Sequence, residues 1–248
     1  MSPNKGNILA LIPARAGSKG LPDKNLKQLG NHPLLAWSVR ACTSNNLIDR
    51  VVVSTDSAEY AETARNYGAE APFLRPYSIS KDNSTDLQFI EHALSALQEL
   101  DSYIPDLIVH IRPTTPIRNP GTINTAIEEF ILKQENYSAL RSVHEMSESA
   151  YKTFEIIEGQ LVTAFFKEKN LESSNRARQD MPKTFSPNGY VDVISTRHIV
   201  SNGKIHGDKV LPFLTEQVIE VDSEWDFKML EMQIQNSPEL ISRVFGVN

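Results

Sequence analysis

Short apolar runs alternate with helical stretches over the first 143 residues, and that alternation leaves few folds open. "NILALIP", "RVVVSTD", "DLIVHI" and "SALRSV" read as short strands with apolar residues at consecutive positions. Runs of that kind suit strands covered on both faces. Between them, "HPLLAWSVRACTS", "SAEYAETARNYG", "STDLQFIEHALSAL" and "NPGTINTAIEEFILK" carry apolar residues at helical spacing. Pro33 suits a first helical turn, Ser57 an N-cap, Gly68 a helix stop, and Asn119 with Pro120 a helix start. The order predicts an α/β fold: a mainly parallel Rossmann-like sheet with helices on both faces. From Ser147 to Pro187 the pattern breaks into polar, weakly periodic sequence, including "KEKNLESSNRARQDMPK". The chain therefore reads as one domain over 1–248 with an excursion at about 145–185. "YVDVIST" and "QVIEVDS" return as expected strands, and "WDFKMLEMQIQ" as a closing helix.

The first strand runs straight into "ARAGSKGLPDKN". Arg15, Lys19 and Lys24 are interleaved there with Gly17, Gly20 and Pro22. Such a segment has nothing to pack in a core. In open parallel sheets ligands bind beyond the carboxyl ends of the strands, where this loop falls. Glycines let backbone amides approach an anion, and Arg and Lys supply charge. The spacing is neither G-x-G-x-x-G nor a Walker loop, so nicotinamide oxidoreductases and P-loop ATPases are disfavoured.

The basic site has to be local, because the 248-residue chain carries a net charge of −6. That balance argues against a general nucleic-acid partner. The single cysteine, Cys42, permits no internal disulfide and reads as a small core residue. The amino-terminal apolar run is too short for a signal peptide, and no run approaches a bilayer span, so a cytoplasmic location without a membrane partner is expected. The six histidines show no zinc spacing.

Two more loops fall at the same sheet edge. Asp56 follows the second strand as a helix cap or a site residue. "IRPTTPIR" offers Arg112 and Arg118 to an acid on a proline-stiffened loop. Arg75 in "LRP" is a further cation, and Ser84 and Thr85 are hydroxyls or helix caps. In "EVDSEWD", Glu220 and Asp222 stand two apart and, on a strand, share one face. Two carboxylates so placed call for a cation, and Mg²⁺ (or Mn²⁺) with a nucleoside triphosphate is the natural one.

"LIPARAGSKGLPDKN", "VVVSTDS", "LRP", "RPTTPIR", "RARQDMPKTFSPNG" and "EVDSEWDF" occur in that order across nearly the whole chain. Together they resemble the acylneuraminate cytidylyltransferases, also called CMP-sialic acid synthetases. The resemblance implies transfer of CMP from CTP to a nine-carbon 2-keto-3-deoxy sugar acid, with release of pyrophosphate, in a homodimer whose excursion reaches the partner's site. It implies that Arg15, Ser18, Lys19, Lys24 and Asn25 contact CTP, that Arg75 and Ser84 complete the nucleotide site, and that Asp222 holds the metal. Arg15, Lys19 and Asp222 are the expected catalytic groups. Lys152 and Arg178 would lie near the sugar acid. The chain departs from the family pattern at Glu220, where the first Asp of an Asp-x-Asp pair is usual, at Arg112 in place of a Gln, and at Ser186 in place of an Arg. It lacks the Gln-Gly-Asp turn of the related Kdo enzymes, which makes a Kdo substrate the lesser alternative. A non-catalytic nucleotide-binding protein of the same fold is the other.

Overall fold

Both faces of the expected sheet are covered, which explains the unbroken apolar runs. The computed structural model describes residues 5–165, 167 and 170–246. In chain order the elements are β1 (Ile8–Pro13), β2 (Gln28–Leu29), β3 (His32–Pro33), α1 (Leu34–Thr43), β4 (Arg50–Ser54), α2 (Ala58–Asn66), α3 (Asp86–Asp101), β5 (Leu107–His110), α4 (Pro120–Lys133) and β6 (Ala139–Glu145). Then come β7 (Phe154–Ile157), β8 (Gln160–Thr163), β9 (Phe185–Ser195), α5 (Thr196–Asn202), β10 (Val210–Leu214), α6 (Glu224–Asn236) and α7 (Glu239–Phe245). The main sheet has six strands in the order β10-β6-β9-β5-β1-β4. All are parallel except β9, which runs antiparallel between β5 and β6.

Alternate residues of each strand serve opposite cores. Ile8, Ala10, Ile12, Val51 and Val53 pack with α1, α2 and α4, whereas Leu9, Leu11, Val52 and Ile108 pack with α3 and α5. Cys42 is fully buried in the first of these clusters, and burial pushes its thiol up to about 12, as suits a core residue. The helix ends follow the side chains. Ser57 caps α2, Thr85 forms a capping box with Gln88, Asn119 caps α4 with Pro120 in its first turn, and Ser223 boxes with Asp226 at α6. Pro33 stands one residue ahead of α1, as its N-cap.

The excursion leaves at the end of β6 and returns at the start of β9, where Glu145 pairs with Phe185. Inside it β7 and β8 form a separate hairpin. Because the chain turns back there, the strand that re-enters the sheet is antiparallel.

Two expectations are corrected. "QVIEVDS" is not a strand. Its apolar residue Val221 is buried against Leu34, Trp37, Phe227 and Leu230 instead of joining a ladder. The last strand is β10, whose Pro212 is accommodated because β10 lies at the sheet edge. Arg118 is likewise not available to an acid. It is 1% exposed, and donates to Tyr190 O, Ser38 Oγ, Arg112 O and Gly189 O. Burial lowers its guanidinium to about 10. It staples β9 and α1 to the loop after β5. Leaving such buried acceptors unpaired costs about 1–3 kcal/mol each.

Candidate active site

β5, β1 and β4 are parallel neighbours, so their carboxyl ends open on one edge. The basic loop leaves β1 there under three restraints. Ala14 N donates to Ser54 O at 2.9 Å, Ala16 N donates to Asp56 Oδ1 at 2.8 Å, and Gly17 takes the left-handed region at φ +70°. Asp56 thus holds the loop, while Ser57 does the capping.

Arg15, Ser18, Lys24, Asn25, Arg75, Ser84 and Arg112 line a single cavity of about 220 Å³ with Asp82, Asp86, Phe89 and Thr114. Seven of the residues expected at the site therefore meet, and Thr85 lines the same cavity. Arg75 is 5% exposed and fixed by donation from Nε to Ser54 Oγ and from Nη2 to Ser54 O, its plane 4.9 Å over the Phe89 ring. Burial lowers it to about 10. Asn25 is 5% exposed; its Nδ2 donates to Arg15 O at 3.4 Å, and its buried Oδ1 has no hydrogen-bond partner among the described residues. A buried acceptor in a cavity wall fits a ligand hydroxyl or amino group. Ser84 Oγ accepts from Lys81 N at 2.9 Å and shapes the turn ahead of α3.

Lys19 stands at the rim with its side chain 83% exposed. Asp82, which sequence reasoning missed, bridges it to Arg15: Lys19 Nζ lies 2.5 Å and Arg15 Nη2 2.7 Å from the Asp82 carboxylate. The hydrogen bond from Lys19 holds that carboxyl below the usual range. A single internal anion on two converging cations marks where an anionic ligand would be held.

The carboxylate stretch reaches the same edge by a different route from the one expected. Lys24 Nζ donates to Val221 O at 2.9 Å and to Asp222 Oδ1 at 3.3 Å. Glu220 Oε1 accepts from Thr114 Oγ1 at 3.0 Å, and Val221 N donates to Thr114 O at 2.7 Å. The Asp222 side chain is 74% exposed. Both carboxylates are hard oxygen donors of the kind Mg²⁺ prefers. Among the described residues no group of three or more His, Cys, Asp or Glu could hold a metal ion, so an ion here would need ligand phosphates beside either carboxylate.

Lys152 does not line this cavity. Lys152 ends the turn Ala150–Lys152 of the excursion, 3.8 Å from Glu148, and Arg178 opens the turn Arg178–Asp180, its side chain outside the description. A larger groove of about 920 Å³ between α6, α7 and the segment after β10 is lined by residues such as Met229, Met232 and Gln233. Arg118 in its wall gives four of its five N–H groups to protein acceptors, and the groove's other charged lining residues are Glu216 and Arg243. Besides Asp82, sequence reasoning overlooked Asp86 and Asp192. Asp192 had a legible signal, a lone charge inside the apolar strand "YVDVIST".

With this geometry in view, the comparisons decide the family. The family described as Cytidylyltransferase matches residues 9–201. The chain belongs to the cytidylyltransferase family. It is 27% identical over 238 residues to a CMP-N,N'-diacetyllegionaminic acid synthase of Legionella pneumophila, covering 94% of this chain and 99% of that protein. It is 32% identical over 181 residues to a pseudaminic acid cytidylyltransferase of Campylobacter jejuni, covering 73% and 75%. An N-acylneuraminate cytidylyltransferase of Escherichia coli is 29% identical over 224 residues, 90% of this chain but 51% of that protein, so the chain spans about half its length. Among solved structures, a CMP:2-keto-3-deoxy-manno-octonic acid synthetase complexed with CTP shares the fold, with TM-score 0.64, 12% identity and coverage of 93% and 99%.

One close approach in this cytidylyltransferase can be tested directly. A Cβ on Gly20 would collide with Asp222 O, so only glycine lets the basic loop pass the carboxylate stretch. Gly20→Ala is expected to part the two, lowering kcat/KM by about tenfold or more, since misplacement of about 1 Å can cost a hundredfold. Circular dichroism should remain native. Unchanged kcat/KM would mean that the approach does not matter to the reaction.

Proposed function

We propose that the protein transfers CMP from CTP to the anomeric hydroxyl of a nine-carbon 2-keto-3-deoxy sugar acid. The hydroxyl oxygen bonds to the α-phosphorus, the bond to the bridging oxygen breaks, pyrophosphate leaves and the hydroxyl proton is lost. The observation that carries this reading is the convergence of Arg15, Ser18, Lys24, Asn25, Arg75, Ser84 and Arg112 on one cavity, in a cytidylyltransferase whose relatives are named for sialic, legionaminic and pseudaminic acids. Arg15 and Lys19 meet charge growing on the phosphoryl oxygens and leaving group. Each preorganised contact of that kind is worth about 2.7–4 kcal/mol. Arg75 and Ser84, in the lining of the same cavity, suit the nucleoside. Asp222, with Glu220, would hold Mg²⁺ or Mn²⁺. Such an ion supplies charge neutralisation between phosphates and lowers the pKa of a coordinated hydroxyl.

Ser186, where the sialate enzymes that the chain resembles carry Arg, favours a bacterial nonulosonate such as a legionaminate over N-acetylneuraminate, because that change removes a planar cation with five donors. The test is pyrophosphate release from CTP with neuraminate, legionaminate, pseudaminate and Kdo. CTP should outperform UTP, ATP and GTP, excess EDTA should abolish turnover, and legionaminate should give the highest kcat/KM. Equal rates with UTP, or full activity in EDTA, contradict the reaction. A preference for neuraminate that survives Ser186→Arg contradicts the substrate.

The excursion supports a homodimer. Phe154, Ile156, Ile157, Leu161, Phe165 and Phe185 are 42–76% exposed on or beside the β7–β8 hairpin. An apolar surface of that kind calls for cover, and a second copy of the excursion supplies it. Phe166 of the same stretch lies outside the described residues. No helix among the described residues is long and apolar enough to cross a membrane; a cytoplasmic site of action follows from a CTP substrate. Light scattering at micromolar concentration should give a dimer, and Ile156→Lys with Phe154→Ser a monomer. A wild-type monomer contradicts dimerisation.

A further inference from the structure

Arg112 is expected from sequence to offer its charge to an acid, but its charge is already matched. Nη2 donates to Asp86 Oδ2 at 2.7 Å and Nη1 to Asp192 Oδ2 at 3.1 Å. One cation stands between two carboxylates. Asp192 is 1% exposed in β9, opposite His110 of β5 and Arg141 of β6. His206 Nε2 lies 3.4 Å, Arg141 Nε 3.9 Å and His110 Nδ1 4.0 Å from its carboxylate. Burial raises that carboxyl, but His206 and the neighbouring charges outweigh burial and bring it to about 2, so it stays ionised. His110 is fully buried, and burial lowers it to about 4.

The guanidinium nevertheless forms part of the cavity wall, with the side chain 21% exposed. It has five N–H groups, of which the two carboxylates take two. Gly189, at φ +63°, makes room for its stem: a Cβ there would stand 3.4 Å from Arg112 Cδ and 3.1 Å from Thr115 Oγ1. An incoming carboxylate would meet this cation together with Asp86 and Asp192, whereas an uncharged acceptor takes directional N–H donation without that repulsion.

We infer that Arg112 is a specificity-determining donor for an uncharged acceptor of the sugar acid, an amide carbonyl or hydroxyl oxygen, and that Asp192 is the positioning residue that fixes its guanidinium. The inference rests on the reaction proposed above. It assigns Arg112 a part different from carboxylate binding, and it explains a lone charge in an apolar strand.

The test combines kinetics with nitrogen NMR of the arginine side chains. Asp192→Asn should raise KM for the preferred sugar acid by about tenfold, the worth of one charge-assisted hydrogen bond, while kcat and KM for CTP move far less. Arg112→Gln should act in the same direction, and the double variant should cost no more than Arg112→Gln alone, as expected for groups that act as a unit. A sugar acid whose N-acetyl group is replaced by N-succinyl, which carries a carboxylate, should bind wild type about tenfold more weakly than the acetylated one, with a smaller gap in Asp192→Asn. The Arg112 Nη signals, assigned by their loss in Arg112→Gln, should be resolved in wild type and averaged in Asp192→Asn. A lowered Tm with unchanged sugar KM in both single variants, equal binding of the two acyl forms, or averaged Nη signals in wild type would each overturn the inference. If Asp192→Asn does not fold, Arg112→Gln and the acyl pair decide. If wild type turns over no nonulosonate, the proposed reaction fails, and the wild-type Nη signals alone decide whether Arg112 is held.

Discussion

The site depends on one long-range tether. Lys24, in the basic loop, donates to Val221 O and Asp222 Oδ1 from nearly two hundred residues away in sequence. Its side chain is only 14% exposed while that of Asp222 is 74% exposed, so the shorter, part-buried donation to Val221 O carries more of the tether than the ion pair. The tether, and the absence of a side chain on Gly20, bring the cations of β1's loop beside the carboxylates that precede α6. Without that meeting the chain would present two solvated charge runs of opposite sign. With it, cations and carboxylates meet at one sheet edge, as the proposed CTP and divalent-ion site requires.

The second constraint is the treatment of arginine. Three of the four arginines at or near the cavity show how differently one residue type can serve, set by what surrounds each. Arg118 is held by backbone carbonyls and Ser38 and serves as a staple. Arg75 is locked on Ser54 and stacked over Phe89, which leaves it rigid. Arg15 is held by an aspartate at the cavity mouth, where a stronger anion can compete. Residue type alone does not separate these roles; burial and partners do.

That difference explains what was legible in the sequence. β1, β4, β5, β6 and β9 were visible because burial on both faces demands apolar runs, α2 and α4 because Ser57 and Asn119 signal their starts, and α3 and α6 because their apolar residues recur at helical spacing. The convergence of seven site residues was legible because strand ends and Gly-rich basic loops have a known place in parallel sheets. β10 was hidden by Pro212, which is tolerated only because the strand lies at an edge, and edge position is a property of the whole sheet. "QVIEVDS" imitated a strand because Val221 is buried, although by α6 and α1 rather than by a ladder. Asp82 lies in a polar turn where nothing local distinguishes a bridging carboxylate from a solvated one.

The proposed reaction requires the loop after β1 to supply charge to the transition state of nucleotidyl transfer. Lys19 tests it most directly, because its exposed side chain contributes little to folding. In single-turnover pyrophosphate release with saturating CTP and sugar acid, Lys19→Ala should be slower by about a hundredfold or more while its Tm stays that of wild type. A rate within about twofold of wild type, at unchanged Tm, would show that this loop does not meet the developing charge.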